Sequence, residues 1–93
     1  MKKTKYSITM NDGTKQEVEG QVFNNVWGID KRGSAYYVLT YVPNGAFVES
    51  SKTMKLLKLL VQEPEFFDFD ETIQSTVKII GAIKRFRDKN GWN

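Results

Sequence analysis

Apolar and polar residues alternate near the start of the chain, where Tyr6, Ile8 and Met10 are separated by Ser7 and Thr9. This period of two predicts a strand, and Asn11-Asp12-Gly13 after it supplies residues that tolerate positive φ in a tight hairpin turn. A second strand is expected from Thr14 to about Asn24. It sets Val18, Gly20 and Val22 on one side and Glu17, Glu19 and Gln21 on the other, so that one face is wet. Asn24-Asn25 breaks it. Val26 to Ile29 resumes an apolar segment that ends at the turn signal Asp30-Lys31-Arg32-Gly33, and a long strand from Ala35 to Val42 follows. There Tyr37, Leu39 and Tyr41 point one way while Tyr36, Val38, Thr40 and Val42 point the other, so both faces are largely apolar, as in a central strand. Pro43-Asn44-Gly45 turns the chain into Ala46 to Glu49.

The period then changes. Met54, Leu57, Leu60 and Val61 follow helical spacing, Leu56 and Leu59 widen the stripe, Ser50 or Ser51 can cap the start, and Pro64 ends the element. Asp68 and Glu71 stand at capping-box spacing before a last helix, and Asn90-Gly91 is a C-cap signal. On a helical wheel Ile73, Thr76, Val77, Ile79, Ile80 and Ile83 form one broad arc expected to pack, opposite a strip of Gln74, Lys78, Arg85 and Lys89. With short turns and no crossover helix, the strands of residues 5–49 predict an antiparallel β-meander of four to five strands. Two α-helices, about 51–63 and 69–89, are expected to cover one sheet face. The fold class expected is α+β, with residues 1–93 as a single domain.

Composition narrows the chemistry. The 93 residues include no cysteine and no histidine, which removes disulfides, thiolate nucleophiles and the usual general base near neutral pH. No P-loop, G-x-G-x-x-G or nucleophile motif occurs, so an enzyme is not expected. No cofactor is called for either. The basic start Met1-Lys2-Lys3-Thr4-Lys5 is followed by Ser, Thr, Asn and Asp where a signal peptide needs an apolar run. No apolar run approaches a membrane span, so the expectation is a cytoplasmic protein with no membrane partner.

Charge is sorted along the second half of the chain. Lys52, Lys55 and Lys58 precede an acidic and aromatic segment holding Glu63, Glu65, Asp68, Asp70 and Glu71 with Phe66, Phe67 and Phe69. Lys78, Lys84, Arg85, Arg87 and Lys89 come after it. The net charge of +3 hides this order. The acidic segment reads first as a helix start whose phenylalanines plug a gap between helices, and second as a patch (Glu63, Glu65, Asp68, Asp70) for a basic partner. It lacks the glycine of an EF-hand loop, and no metal site is assigned. Lys52, Lys55, Lys58, Lys78, Arg85, Arg87 and Lys89 read first as solvated helix faces and second as contacts to a phosphate backbone. Trp27, Tyr37 and Tyr41 are the third set. If the helices cover only one sheet face, these aromatics are expected to stay accessible as an interface anchor or stacking platform.

In size and in its Lys- and Asn-rich style the chain resembles the small accessory proteins of phages and mobile elements in low-GC bacteria. That class includes inhibitors of host nucleases and CRISPR systems. The resemblance implies an inhibitor or adaptor and assigns no residue a role. The function expected from the residues is a non-catalytic interaction protein that meets a macromolecular partner through charge and aromatic patches. The partner expected is another protein, and a homodimer belongs to the same reading. One alternative is a sequence-tolerant nucleic-acid-binding module on the basic helices. Another is a small-molecule or nucleotide binder with a pocket lined by Trp27, Tyr37 and Phe47.

Overall fold

The computed structural model of the protein describes residues 3–91; Met1 and Lys2 of the basic start lie outside the described residues. It is an α+β fold in which a five-stranded antiparallel sheet is followed by helices. The strands are β1 (Thr4–Thr9), β2 (Lys15–Phe23), β3 (Trp27–Arg32), β4 (Tyr36–Tyr41) and β5 (Ala46–Ser51), and each pairs with its neighbours in sequence order. The helices are α1 (Met54–Leu60), α2 (Pro64–Phe67) and α3 (Ile73–Asn90). Among the described residues no helix is long and apolar enough to cross a membrane.

The turns form where the sequence places residues that accept a left-handed backbone. Gly13 (φ 86°), Asn24 (φ 51°), Asn25 (φ 64°), Gly33 (φ 58°) and Gly45 (φ 71°) stand at the successive reversals. The helical half departs from expectation by one element. Pro64 does not merely stop a helix; it sits in the first turn of α2, where its missing N–H costs nothing, and so three helices stand where two were expected. Thr53 precedes α1 without a side-chain cap, while Ser51 Oγ accepts from the Thr53 amide at 3.2 Å.

One face of β3 and β4 carries Trp27, Ile29, Leu39 and Tyr41, which pack with Leu57, Leu60 and Val61 of the α1 segment, Phe66 of α2, and Ile79, Ala82 and Phe86 of α3. Trp27 is the centre of this layer. Its indole Nε1 donates to the Phe66 carbonyl at 2.9 Å, and its ring lies 5.1, 4.9 and 5.5 Å from those of Tyr41, Phe66 and Phe69. Edge and tilted contacts of this sort suit the ring quadrupoles, and the buried N–H is satisfied. Phe66 and Phe69 therefore fill the gap between helices as expected, whereas Phe67 stays exposed.

The opposite face is not open. β2 pairs with β1 through Lys15–Gly20 and with β3 through Gln21–Phe23, so the β1–β2 hairpin swings across the sheet at Gly20. Tyr6 and Ile8 are carried onto the side of Gly28, Asp30, Val38 and Thr40, and all of these are buried. The Tyr6 ring rests on Gly28, where a Cβ would come within 2.6 Å of it; the Tyr6 hydroxyl donates to Asp30 Oδ1 at 3.1 Å. Arg32 completes the group with a second bond to Asp30 Oδ1 at 3.1 Å and a short contact from Nε to Oδ2. A buried carboxylate needs such partners. Burial, then the Asp30 charge, push the Tyr6 hydroxyl well above its ordinary range, so it stays a donor. The curl ends where the Thr9 amide donates to the Gly45 carbonyl at 2.9 Å.

β5 is an edge strand, and it is blunted. The register with β4 shifts between Leu39 and Thr40, leaving Val48 as an extra residue, and Glu49 turns its own carboxylate onto the Ser50 amide at 3.0 Å.

Two glycine substitutions with opposite outcomes test this account. A Cβ at Gly20 would lie 2.3 Å from the Ile29 carbonyl oxygen, backbone against backbone. Gly20→Ala is expected to lower stability by about 1–3 kcal/mol in urea denaturation. At Gly81, inside α3, the nearest atom to a Cβ is Arg85 Nη1 at 3.6 Å. Gly81→Ala is expected to raise stability by about 0.5–1 kcal/mol.

Candidate functional site

The start of α3 is fixed by a small polar lattice and by aromatic packing. Thr72 is the N-cap, and its hydroxyl accepts from the Ser75 amide at 3.1 Å. Asp70 accepts from the Thr72 amide (3.2 Å), the Thr72 hydroxyl (2.7 Å) and the Ser75 hydroxyl. This replaces the expected capping box of Asp68 and Glu71. Glu71 cannot serve because it stands at φ 67°, in the left-handed region, with its carboxylate turned to the Tyr41 hydroxyl. Burial first, and the Glu71 charge after it, raise the Tyr41 pKa. Phe69 packs edge-on against Tyr41 at 5.0 Å, which seats the turn on the sheet.

From that anchor α3 leaves the core on one narrow face. Ile79, Ala82 and Phe86 are buried, at i, i+3 and i+7. The rest of the apolar arc is not. Ile73 is 84% exposed, Val77 63% and Ile80 61%, although all three were expected to pack. The physical reason is width. With Ala82 and Phe86 included, the apolar positions of this helix span roughly 220° of the wheel, more than one neighbouring surface can cover.

Beside this strip runs a groove of about 360 Å³ between α3 and β5. Thr76, Ile80 and Ile83 form one wall and Ala46, Phe47 and Val48 the other, with Trp27, Tyr41, Phe69 and Ile79 beneath. Phe47, on the rim, is 63% exposed. Strip and groove make one apolar surface, and exposed Met10, Tyr36 and Phe47 line a second depression on the hairpin side.

The residues singled out from the sequence fall elsewhere. Trp27 and Tyr41 are buried and Tyr37 is half-buried, so the expectation of an accessible aromatic strand fails at Trp27 and Tyr41. The cause is that both rings lie on the sheet face that the helices cover. Of the trio Trp27, Tyr37 and Phe47, the groove joins Trp27 and Phe47 and leaves out Tyr37, whose ring lies 6.0 Å from Lys31 Nζ. Glu63 precedes α2 and is half-buried; Asp68 and Asp70 are exposed on either side of Phe69. Glu65 accepts from Arg85 at 2.6 Å, and its pKa is lowered by its own backbone amide first and by Arg85 after that.

The basic positions also separate. Arg85 is paired with Glu65, and Arg87 lies 3.6 Å from Glu49. Lys78 and Lys89 are exposed on α3, as are Lys52 and Lys55 near α1, and Lys58 is half-buried. A cleft of about 570 Å³ at the ends of α1 and α3 brings Arg85 and Lys89 beside Glu63, Leu59 and Gln62, and includes none of Lys52, Lys55 and Lys58. Among the described residues no three acidic side chains converge on a position that could hold a metal ion.

No family model, curated protein or solved structure matches this chain. The function therefore has to be argued from the surface itself.

The lattice at the head of α3 yields two predictions. Thr72→Ala is expected to cost about 1 kcal/mol in chemical denaturation, the usual effect of losing an N-cap. The hydroxyls of Ser75 and Thr72 hold the Asp70 carboxyl at about 2, below its ordinary 3.8. A depressed carboxyl stabilises the fold above the unfolded value and stops doing so as pH falls through the folded one. Asp70→Asn should therefore lower the melting temperature at neutral pH, and the gap to the parent protein should close between about pH 4 and pH 2.

Proposed function

We propose that this protein is a non-catalytic interaction module that meets a protein partner on the outer face of α3 and the adjoining groove. The observation that carries the reading is the exposure of Ile73, Val77 and Ile80 at i, i+4 and i+7 on a helix whose opposite face is already packed. Burying one such side chain fully is worth about 1.5–3 kcal/mol. A helix face that contributes this little to its own fold is a store of binding free energy. An inhibitor or adaptor works in this way, by occupying a surface without chemistry.

The basic-helix alternative receives less support. Arg85 is held by Glu65 at 2.6 Å, and the cleft that gathers Arg85 and Lys89 also contains Glu63. Phosphate binding would have to compete with these groups. The small-molecule reading shares the groove, but that groove has an apolar lining with few polar groups to fix the orientation of a ligand.

The test compares baits. The parent protein, Val77→Lys/Ile80→Lys and Lys52→Glu/Lys55→Glu are used in turn to retain binding proteins, with far-ultraviolet circular dichroism to verify each fold. The reading expects at least a tenfold loss of retention for the α3 variant and little change for the lysine variant. Retention that ignores the α3 variant, or no self-association and no retained protein at all, would overturn it.

A further inference from the structure

The outer face of α3 has a definite order along its length. An acidic turn with Asp68 and Asp70 exposed precedes it, the Glu71 carboxylate turning back to the Tyr41 hydroxyl; Ile73, Val77 and Ile80 follow, and Lys84 and Arg87 come last, with Asp88 offsetting one of their charges. At 3.6 residues per turn Ile73, Val77, Ile80 and Lys84 fall within about 60° of one another, and their mean direction is roughly 160° from that of Ile79, Ala82 and Phe86. All four are exposed. Lys84 has no ion pair among the described residues, and Arg87 reaches Glu49 only at 3.6 Å with half of its side chain exposed.

Acidic, apolar, basic is an order that complements itself when reversed. We infer that the partner on this face is a second copy of the chain, the two α3 helices crossing antiparallel about a two-fold axis between Val77 and Ile80. The axis sets Val77 against the partner's Ile80 and Ile73 against the aliphatic stem of the partner's Lys84. At each end it sets Asp70 and its acidic turn against the partner's Arg87, because these pairs are equally spaced from the axis in sequence. A parallel pairing would stack acidic turn on acidic turn. Isologous contacts of this kind close after two copies and leave no sticky end. The inference rests on the reading of the α3 face as a docking surface and adds to it the identity of the occupant.

The experiment is sedimentation equilibrium over a concentration series at low salt, on the full chain and on folded variants. The parent protein is expected to approach twice the chain mass, and Val77→Lys/Ile80→Lys to remain at one. Lys84→Glu/Arg87→Glu and Asp68→Lys should each weaken self-association, the first by about tenfold or more, since like charges then face each other. Mixed in equal amounts, these two variants should restore a heterodimer about as strong as the parent homodimer; in a parallel arrangement the heterodimer would instead exceed the parent, whose like charges would face each other. A single-chain mass for the parent at every concentration would overturn the inference, as would a dimer indifferent to Val77→Lys/Ile80→Lys. If the parent stays monomeric while that variant still abolishes retention of another protein, self-pairing falls and the docking reading stands. Should Asp68→Lys not fold, the α3 variant and Lys84→Glu/Arg87→Glu decide the matter by themselves.

Discussion

The rest of the structure depends on a close approach: one tyrosine ring laid on a glycine. β3 and β4 have two apolar faces, and helices can cover only one of them. The second is closed by the β1–β2 hairpin, which reaches it because Gly20 lets β2 change partners without a side chain striking Ile29, and because Gly28 leaves room for Tyr6. Asp30 then has to be buried, and it is tolerated there only with the Tyr6 hydroxyl and the Arg32 fork around it. Packing and polar satisfaction are thus one requirement at this point. Without that hairpin Asp30, Val38 and Thr40 would lie on the protein's exposed surface.

This closure also decides where an interaction surface is left. With the β5 edge blunted by its bulge and by Glu49, the outer side of α3 is left as an apolar face in solvent, carrying Ile73, Val77 and Ile80. The charged blocks that are so visible in the sequence mostly turn toward each other. Glu65 meets Arg85, Glu49 meets Arg87, and Asp70 is absorbed by the head of α3. Pairing in space removes much of what sorting along the chain promised.

Local signals were the legible ones. Asn11-Asp12-Gly13, Asn24-Asn25 and Asn90-Gly91 each mark a reversal or a helix end through backbone preference alone, and the structure puts turns at all three. The strand meander follows from them. What could not be read was anything that needed a distant neighbour. Periodicity states that Ile73, Val77 and Ile80 share a side of a helix; it does not state whether another element lies there. The sequence carries one sign of it, an arc too wide for a single contact. Trp27 and Tyr41 differ from expectation for the mirror-image reason: periodicity does not state which sheet face the helices cover, and they cover the one that carries both rings.

The sheet order β1-β2-β3-β4-β5 has a further consequence for how the chain reaches this state. Every strand pairs with the one before it, so each ladder closes only a short loop and loses little chain entropy in doing so. The junction of Thr9 with Gly45 and the seating of Phe66 against Trp27 are the long closures, and both join parts that local hairpins have already shaped. Such a topology favours assembly by successive zippering over a search for remote partners. It allows the N-terminal half to gain structure while the helices are still being made.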